Sequence, residues 1–307
     1  MFSDQKKEFY KRASNGEGQI FVRTYTLSDP SAVAVILHDL NSYGERYAKL
    51  ASTLNEAGIN VIVPDITGHG LSKQGHPGAF AMKYGGISSF CKDVHELFEF
   101  CEEGLNTLPH ILISDGFSNL ISEMYMSEYD DVDAAVLMSP LAPPDGMTTL
   151  ILTARNHVMR KGYSSVSPAM LNLVEPPSQI GAGEVNKYYW VSSDPDEVKA
   201  YIDDEGCGIP LTASAYVELL ESAKKVSSKG WADKIPNIPI LILSGADDIR
   251  GDYSKAARTK AGQLWDNDHD YVDLKIYANC QHDLMHERNS GEIISEIMEW
   301  IVRKALK

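Results

Sequence analysis

The segment Ser114-Asp115-Gly116-Phe117-Ser118 has the setting of a nucleophile and lacks the nucleophile itself. It follows the apolar run His110-Ile111-Leu112-Ile113 and precedes a helix-like stretch from Asn119 to Glu128. A strand, a sharp turn and a helix are the context of the G-x-S-x-G elbow, which lifts a serine hydroxyl above a sheet. Here Ser114 replaces the first glycine, Gly116 the serine and Ser118 the last glycine. A glycine has no side chain with which to attack a carbonyl or to be acylated. Other groups in reach do not supply the missing hydroxyl. Asp115 lies one residue early, Ser114 sits at a strand end, and Ser118 falls on the first helical turn. Cys280 reads as a small packed hydrophobe. No metal-ligand spacing and no phosphate-cradling glycine loop occurs, so no metal or cofactor is implied.

Length and charge narrow the function classes. A chain of 307 residues, 43% hydrophobic, suits one enzyme-sized globular unit. A formal net charge of −15 opposes nucleic-acid binding, whose affinity comes from Lys and Arg at phosphates. It equally opposes anionic membrane surfaces. No run approaches the roughly 20 apolar residues of a membrane helix, and the N-terminus has no secretory apolar region, so a soluble cytoplasmic protein is expected. The four cysteines form no C-x-x-C pair and read as free thiols of a reducing compartment. The acidic stretch around Asp194, Asp196, Glu197, Asp203, Asp204 and Glu205 reads as a solvated face.

Elements able to position a site are visible as alternation. Apolar runs occur at Ile20 to Tyr25, Ala32 to Leu37, Val61 to Val63, His110 to Ile113, Ala134 to Met138, Ile240 to Leu243 and Leu274 to Tyr277. Amphipathic stretches lie at Glu45 to Glu56, Ile87 to Glu103, Phe117 to Glu128, Tyr253 to Trp265 and Glu292 to Ala305. The pattern predicts an α/β fold, a mostly parallel sheet with helices on both faces. From about Pro143 to Ala213 the alternation stops, with helical pieces, proline and glycine punctuation and no convincing strand. The expected organisation is a core of residues 1–142 and 214–307 with a helical cap inserted at 143–213.

Further segments carry a resemblance. Leu37-His38-Asp39-Leu40 followed by Gly44-Glu45-Arg46-Tyr47, then Pro64-Asp65-Ile66-Thr67-Gly68-His69-Gly70-Leu71-Ser72, then Leu137-Met138-Ser139-Pro140-Leu141 appear in this order. Leu243-Ser244-Gly245-Ala246-Asp247-Asp248 and Lys275 to His282 follow. Together they resemble, over nearly the whole length, α/β-hydrolases of the monoacylglycerol lipase and lysophospholipase branch, the serine aminopeptidase S33 group. D-x-x-G-H-G-x-S is the most specific match.

The resemblance implies a carboxylic-ester hydrolase scaffold and assigns roles. Asp248 stands at the acid of a Ser…Asp…His order, with Asp247 as its adjacent fallback, and His282 stands at the base. Leu40 and Phe117 would supply the backbone N–H groups of the oxyanion hole. Gly116 aligns with the serine without a gap. Asp39 replaces a glycine beside the hole and Asp115 a histidine beside the nucleophile, so both modify the pocket, and a carboxylate at Asp39 opposes the charge that the hole stabilises. Some α/β-hydrolases use an aspartate nucleophile, but Asp115 is out of register for it. The expectation is a catalytically impaired homologue that binds an acyl or lipid-like small molecule, or a partner, with cap residues such as Leu150, Ile151, Leu152, Met159, Met170, Leu171, Leu173 and Trp190 as candidate pocket lining. Two alternatives stand beside it: an active hydrolase or lyase whose Asp248/His282 dyad activates water, and an engineered knock-out of an active esterase.

Overall fold

The computed structural model describes residues 5–16, 18–73, 77–79, 86–102, 108–170, 179–181, 184–228 and 230–306. Eight strands form one sheet in the order β1-β2-β4-β3-β5-β6-β9-β10. They are β1 (Gln5–Arg12), β2 (Gln19–Thr26), β3 (Ala32–Leu37), β4 (Ile59–Pro64), β5 (His110–Asp115), β6 (Ala134–Met138), β9 (Ile240–Gly245) and β10 (Val272–Tyr277). β1 pairs antiparallel with β2, and β2 antiparallel with β4; every other pair in the sheet is parallel.

The inner parallel strands β3, β4, β5, β6 and β9 are buried at every position because both faces are covered. Along β3, Val33, Val35 and Leu37 join one core cluster while Ala34 and Ile36 join the other, the two-residue alternation of a pleated strand. Helices α1 (Ala48–Glu56) and α8 (Ser290–Lys304) supply one layer through Leu50, Leu54, Ile293, Ile297 and Ile301. The other layer holds α2 (Ile87–Glu102), α3 (Ser118–Glu128) and α7 (Lys255–Trp265), through Phe90, Val94, Leu97, Ile121, Ala261 and Leu264. Cys91 and Cys101 both lie on α2, and all four cysteines are free thiols.

Between β6 and β9 the chain leaves the sheet. It forms α4 (Met147–Lys161), a short hairpin of β7 (Gln179–Gly181) and β8 (Glu184–Asn186), α5 (Pro195–Asp203) and α6 (Ala213–Val226). Thr212 caps α6 by accepting the Ala215 N–H at 3.2 Å, and Asp194 caps α5 by accepting the Asp196 N–H at 3.0 Å.

The structure corrects the sequence reading in several places. The hairpin replaces the strandless interval expected there. β1 went unseen because its Lys-rich, largely exposed sequence has no buried face to impose a pattern, as befits an edge strand. The stretch from Glu45 divides into a 3₁₀ turn, Gly44–Tyr47, and α1. The helix expected from Tyr253 starts at Lys255, since Asp252, Tyr253 and Ser254 have φ of 51°, 54° and 65°. Among the described residues no helix is long and apolar enough to cross a membrane.

Candidate active site

Strand register brings the site together. β3 and β5 are neighbours with Leu37 opposite Ser114, so two residues on Asp39 faces Gly116. On the far side β9 and β10 place Gly245 opposite Tyr277, and the loops after them carry Asp248 and His282. All four loops leave the carboxyl ends of parallel strands, and the chain runs outward in opposite directions from β3 and β5, the place where open α/β sheets form their crevice.

The turn after β5 is sharp and left-handed, as a strand-to-helix elbow requires. Gly116 has φ +54°, the left-handed conformation that a side chain there adopts only with strain and glycine adopts freely. Its N–H donates to the Met138 carbonyl at 3.0 Å. The polar residues that stand where the motif has glycine are rivets. The Ser114 hydroxyl donates to Asn119 Oδ1 at 2.7 Å, Asn119 Nδ2 donates to the Met138 carbonyl at 2.7 Å, and the Ser118 hydroxyl donates to the His38 carbonyl. Both serines are fully buried, with their hydroxyls engaged in these hydrogen bonds.

The space above Gly116 belongs to Asp39. A Cβ placed on Gly116 would overlap Asp39 Oδ1 and stand 2.5 Å from Asp39 Cγ. Asp39 Oδ1 also accepts the Phe117 N–H at 2.8 Å. The carboxylate that the sequence suggested would oppose charge beside the expected oxyanion donors is therefore the group that takes the Phe117 N–H. Leu40, the other expected donor, is buried directly after it.

His282 and Asp248 are brought together as a pair. His282 Nδ1 lies 2.9 Å from Asp248 Oδ2, and both residues are buried. His282 Nε2 lies 3.8 Å from Asp39 Oδ2, an ion-pair distance too long for a hydrogen bond. Burial by itself lowers the imidazole, but Asp248 and then Asp39 override it and hold His282 up at about 10. Burial would raise Asp39; His282, Arg250 and the Phe117 N–H hold it well below the usual carboxylate range instead. Both shifts favour an imidazolium at His282 paired with the Asp39 carboxylate. Asp247, the fallback acid, is exposed.

Asp115 lines the same cavity as Asp39 and His282, from beside Tyr47. It accepts a hydrogen bond from the Tyr47 hydroxyl at 2.8 Å, and burial, above all, pushes its carboxyl up to about 8. It is therefore largely a neutral acid near pH 7.

The D-x-x-G-H-G segment is scaffolding. Asp65, fully buried, accepts from Arg23 Nη1 at 2.7 Å and from the Gly44 and Leu71 N–H groups at 2.8 Å each. Gly70, at φ +47°, passes so close that a Cβ would strike the Asp65 carboxylate. His38 Nε2 accepts the Ile66 N–H at 2.9 Å, so its proton sits on Nδ1, which donates to the Asp39 carbonyl at 2.7 Å. That neutral ring ties the loop after β4 to the one after β3.

Trp190, expected as pocket lining, lines the cavity, and several further participants were not legible in the sequence. Arg250 approaches Asp39 Oδ2 at 3.7 Å and lies over the Trp190 ring at 4.6 Å from its centroid. Trp190 meets the His282 ring edge-on at 5.6 Å, and its carbonyl accepts the His282 N–H at 3.1 Å. The Ser139 hydroxyl holds the His282 carbonyl at 2.6 Å. Ser193 N–H and Gln281 N–H donate to the same Glu287 carboxylate at 3.0 and 2.6 Å, latching the segment after Trp190 to the histidine loop. His286 Nδ1–H donates to the Asp283 carboxylate at 2.8 Å and takes no part in the pair around His282. A narrow cavity remains, lined by Asp39, Ser42, Asp115, Trp190, Tyr201 and His282 among others. Of the other expected lining residues, Leu152 and Met159 are exposed, Met170 is buried in the main core, and Leu171 and Leu173 lie outside the described residues.

A mostly parallel eight-stranded sheet with an elbow after β5, an acid after β9 and a histidine after β10 is the α/β-hydrolase fold. The chain belongs to the serine aminopeptidase, S33 family, which it matches over residues 28–289. It is 24% identical over 280 residues to a monoacylglycerol lipase of Mycolicibacterium smegmatis, covering 90% of this chain and 89% of that one. It is also 24% identical over 283 residues to a monoglyceride lipase homolog of Monkeypox virus, with coverage of 90% and 91%. A thermostable carboxyl esterase from Bacillus coagulans shares the fold with a TM-score of 0.89 at 21% identity, over 98% of this chain and 99% of that one.

Proposed function

We propose that this protein is an esterase-like α/β-hydrolase that has lost the serine route and retains the pocket for binding a small molecule with an acyl or lipid-like character. The observation that carries the reading is the double role of Asp39, which fills the volume of the absent serine side chain and takes the Phe117 N–H. An acyl-enzyme needs a nucleophile at the elbow and an empty oxyanion hole. Neither requirement is met here.

The alternative of a water activated by the Asp248/His282 dyad is less well supported. A general base must begin deprotonated. His282, between Asp248 and Asp39, favours the imidazolium. An engineered knock-out is also less well supported, because a single serine-to-glycine change would not bring Asp39 into the vacated space.

Fluorophosphonate labelling together with p-nitrophenyl ester turnover tests the reading. The expected result is no covalent label at Ser114 or Ser118 and no ester turnover dependent on His282. Rapid labelling of either elbow serine would overturn it.

A further inference from the structure

Asp39 holds its oxygens unequally. Oδ1 is fixed on the Phe117 N–H at 2.8 Å. Oδ2 receives only long contacts from Asn41 at 3.4 Å and faces Arg250 and His282 at 3.7 and 3.8 Å. Other polar atoms of the cavity that Asp39 lines are held less well still. His282 Nε2, Asp115 Oδ1, the Tyr201 hydroxyl and Ser42 Oγ make no hydrogen bond among the described residues, although their residues are only 2%, 2%, 3% and 6% exposed. Buried polar groups are ordinarily paired, with protein or with water.

Size and charge define the occupant. The cavity gives the centre of a water-sized sphere about 10 Å³. One water needs roughly 10–15 Å³ on that measure, so a second water or a carbon skeleton does not fit. A cation is opposed by the protonated His282 and by Arg250 beside Asp39. An anion is opposed by Asp39 and Asp283, both in the lining. What remains is a neutral molecule that both donates and accepts.

The hydrogen bonds balance for such a molecule. His282 Nε2–H is a donor, because the ring is held as an imidazolium with Nδ1–H on Asp248. Asp115 is a second donor: the Tyr47 hydroxyl donates to its Oδ2, which leaves the proton of the neutral acid on Oδ1. Asp39 Oδ2 is an acceptor, and so is the Tyr201 hydroxyl oxygen. Two donors and two acceptors are the full complement of one water.

We propose that this chamber is a site for a single resident water, which accepts from His282 Nε2–H and Asp115 Oδ1–H and donates to Asp39 Oδ2 and the Tyr201 hydroxyl. The water seals the cap to the core. Tyr201 stands on α5, whereas Asp39, Asp115 and His282 stand at or beyond the carboxyl ends of β3, β5 and β10. An acyl ligand of the kind proposed above reaches Asp39 only by expelling this water.

A high-resolution crystal structure of the full-length protein, with ¹⁷O relaxation dispersion in solution, tests the site. The expected result is one isolated water peak within hydrogen-bond distance of His282 Nε2, Asp115 Oδ1 and Asp39 Oδ2. A chamber without density, an ion in it, or a direct hydrogen bond between these atoms overturns the proposal. In solution, Ser42→Thr adds a methyl group beside Oγ and should lower the dispersion by the share of one long-lived water; an unchanged amplitude in the folded variant counts against the site. Tyr201→Phe keeps the ring and removes one partner, so the α5 amides should exchange with deuterium roughly 2–10-fold faster, the worth of one hydrogen bond. Unchanged exchange sinks the seal. Fluorophosphonate labelling bears on the serine route alone: a labelled elbow serine overturns that reading, whereas an empty chamber overturns the water site.

Discussion

Asp39 and Gly116 face each other across the parallel β3/β5 pair, two residues beyond the Leu37/Ser114 register, and the side chain of one occupies the volume that the other lacks. They form a complementary pair. Restoring the serine alone would place Cβ against the Asp39 carboxylate and force a side chain onto a left-handed backbone, overpacking and strain of about 1–3 kcal/mol each.

Gly116→Ser is therefore expected to lower the melting temperature and remain unlabelled by a fluorophosphonate. Asp39→Gly combined with Gly116→Ser is expected to regain both stability and labelling. Labelling of the single variant at the rate of the double would show that Asp39 does not occupy the site in solution.

His282 offers a pH test. Its folded-state pKa, about 10, lies above the ordinary histidine value, so the folded state holds a proton that the unfolded state loses. The stabilisation is complete below about pH 6.5 and disappears as pH rises through about 10. NMR of the His282 ring should show an imidazolium unchanged from pH 5 to 8, and Asp39→Asn should move its titration downward. A wild-type ring titrating near 6.5 would contradict the ion pair.

Asp115 acts with the opposite consequence. Its folded pKa of about 8 exceeds that of the unfolded carboxyl, so the folded state carries the extra proton and stability falls as pH rises from about 4 to about 8. Asp115→Asn, which can still accept the Tyr47 hydroxyl, should gain stability relative to wild type across that window and hold a constant advantage above it. Urea melts at pH 4, 6 and 8 measure this; a difference that does not change with pH counts against a buried neutral acid.

Asp65 should be structurally indispensable. Asp65→Ala removes acceptors from two backbone N–H groups and leaves the Arg23 guanidinium, 4% exposed, without its buried partner. Loss of one partner of a buried pair costs about 3–5 kcal/mol. A melting temperature close to wild type would refute the scaffold role of the D-x-x-G-H-G segment.

Sequence alone determined most of the sheet, the order of the site segments and the glycine at the turn after β5. Buried parallel strands must be apolar, and the backbone requirements of sharp loops force recognisable glycines, so β3, β5, β6 and the Gly68-His69-Gly70 turn were legible. β1 was not, because an exposed edge strand is stabilised by pairing with β2 and leaves no apolar rhythm. The meaning of Asp39 belonged to tertiary structure. As a residue type it predicts only a charge; the β3/β5 register places that charge on the Phe117 N–H, against Gly116, and facing His282. Arg250, Trp190 and Ser139 likewise acquire their roles from contacts made across loops far apart in the chain. Local rules act over a few residues, whereas the balance of charge in a buried site depends on every group packed around it.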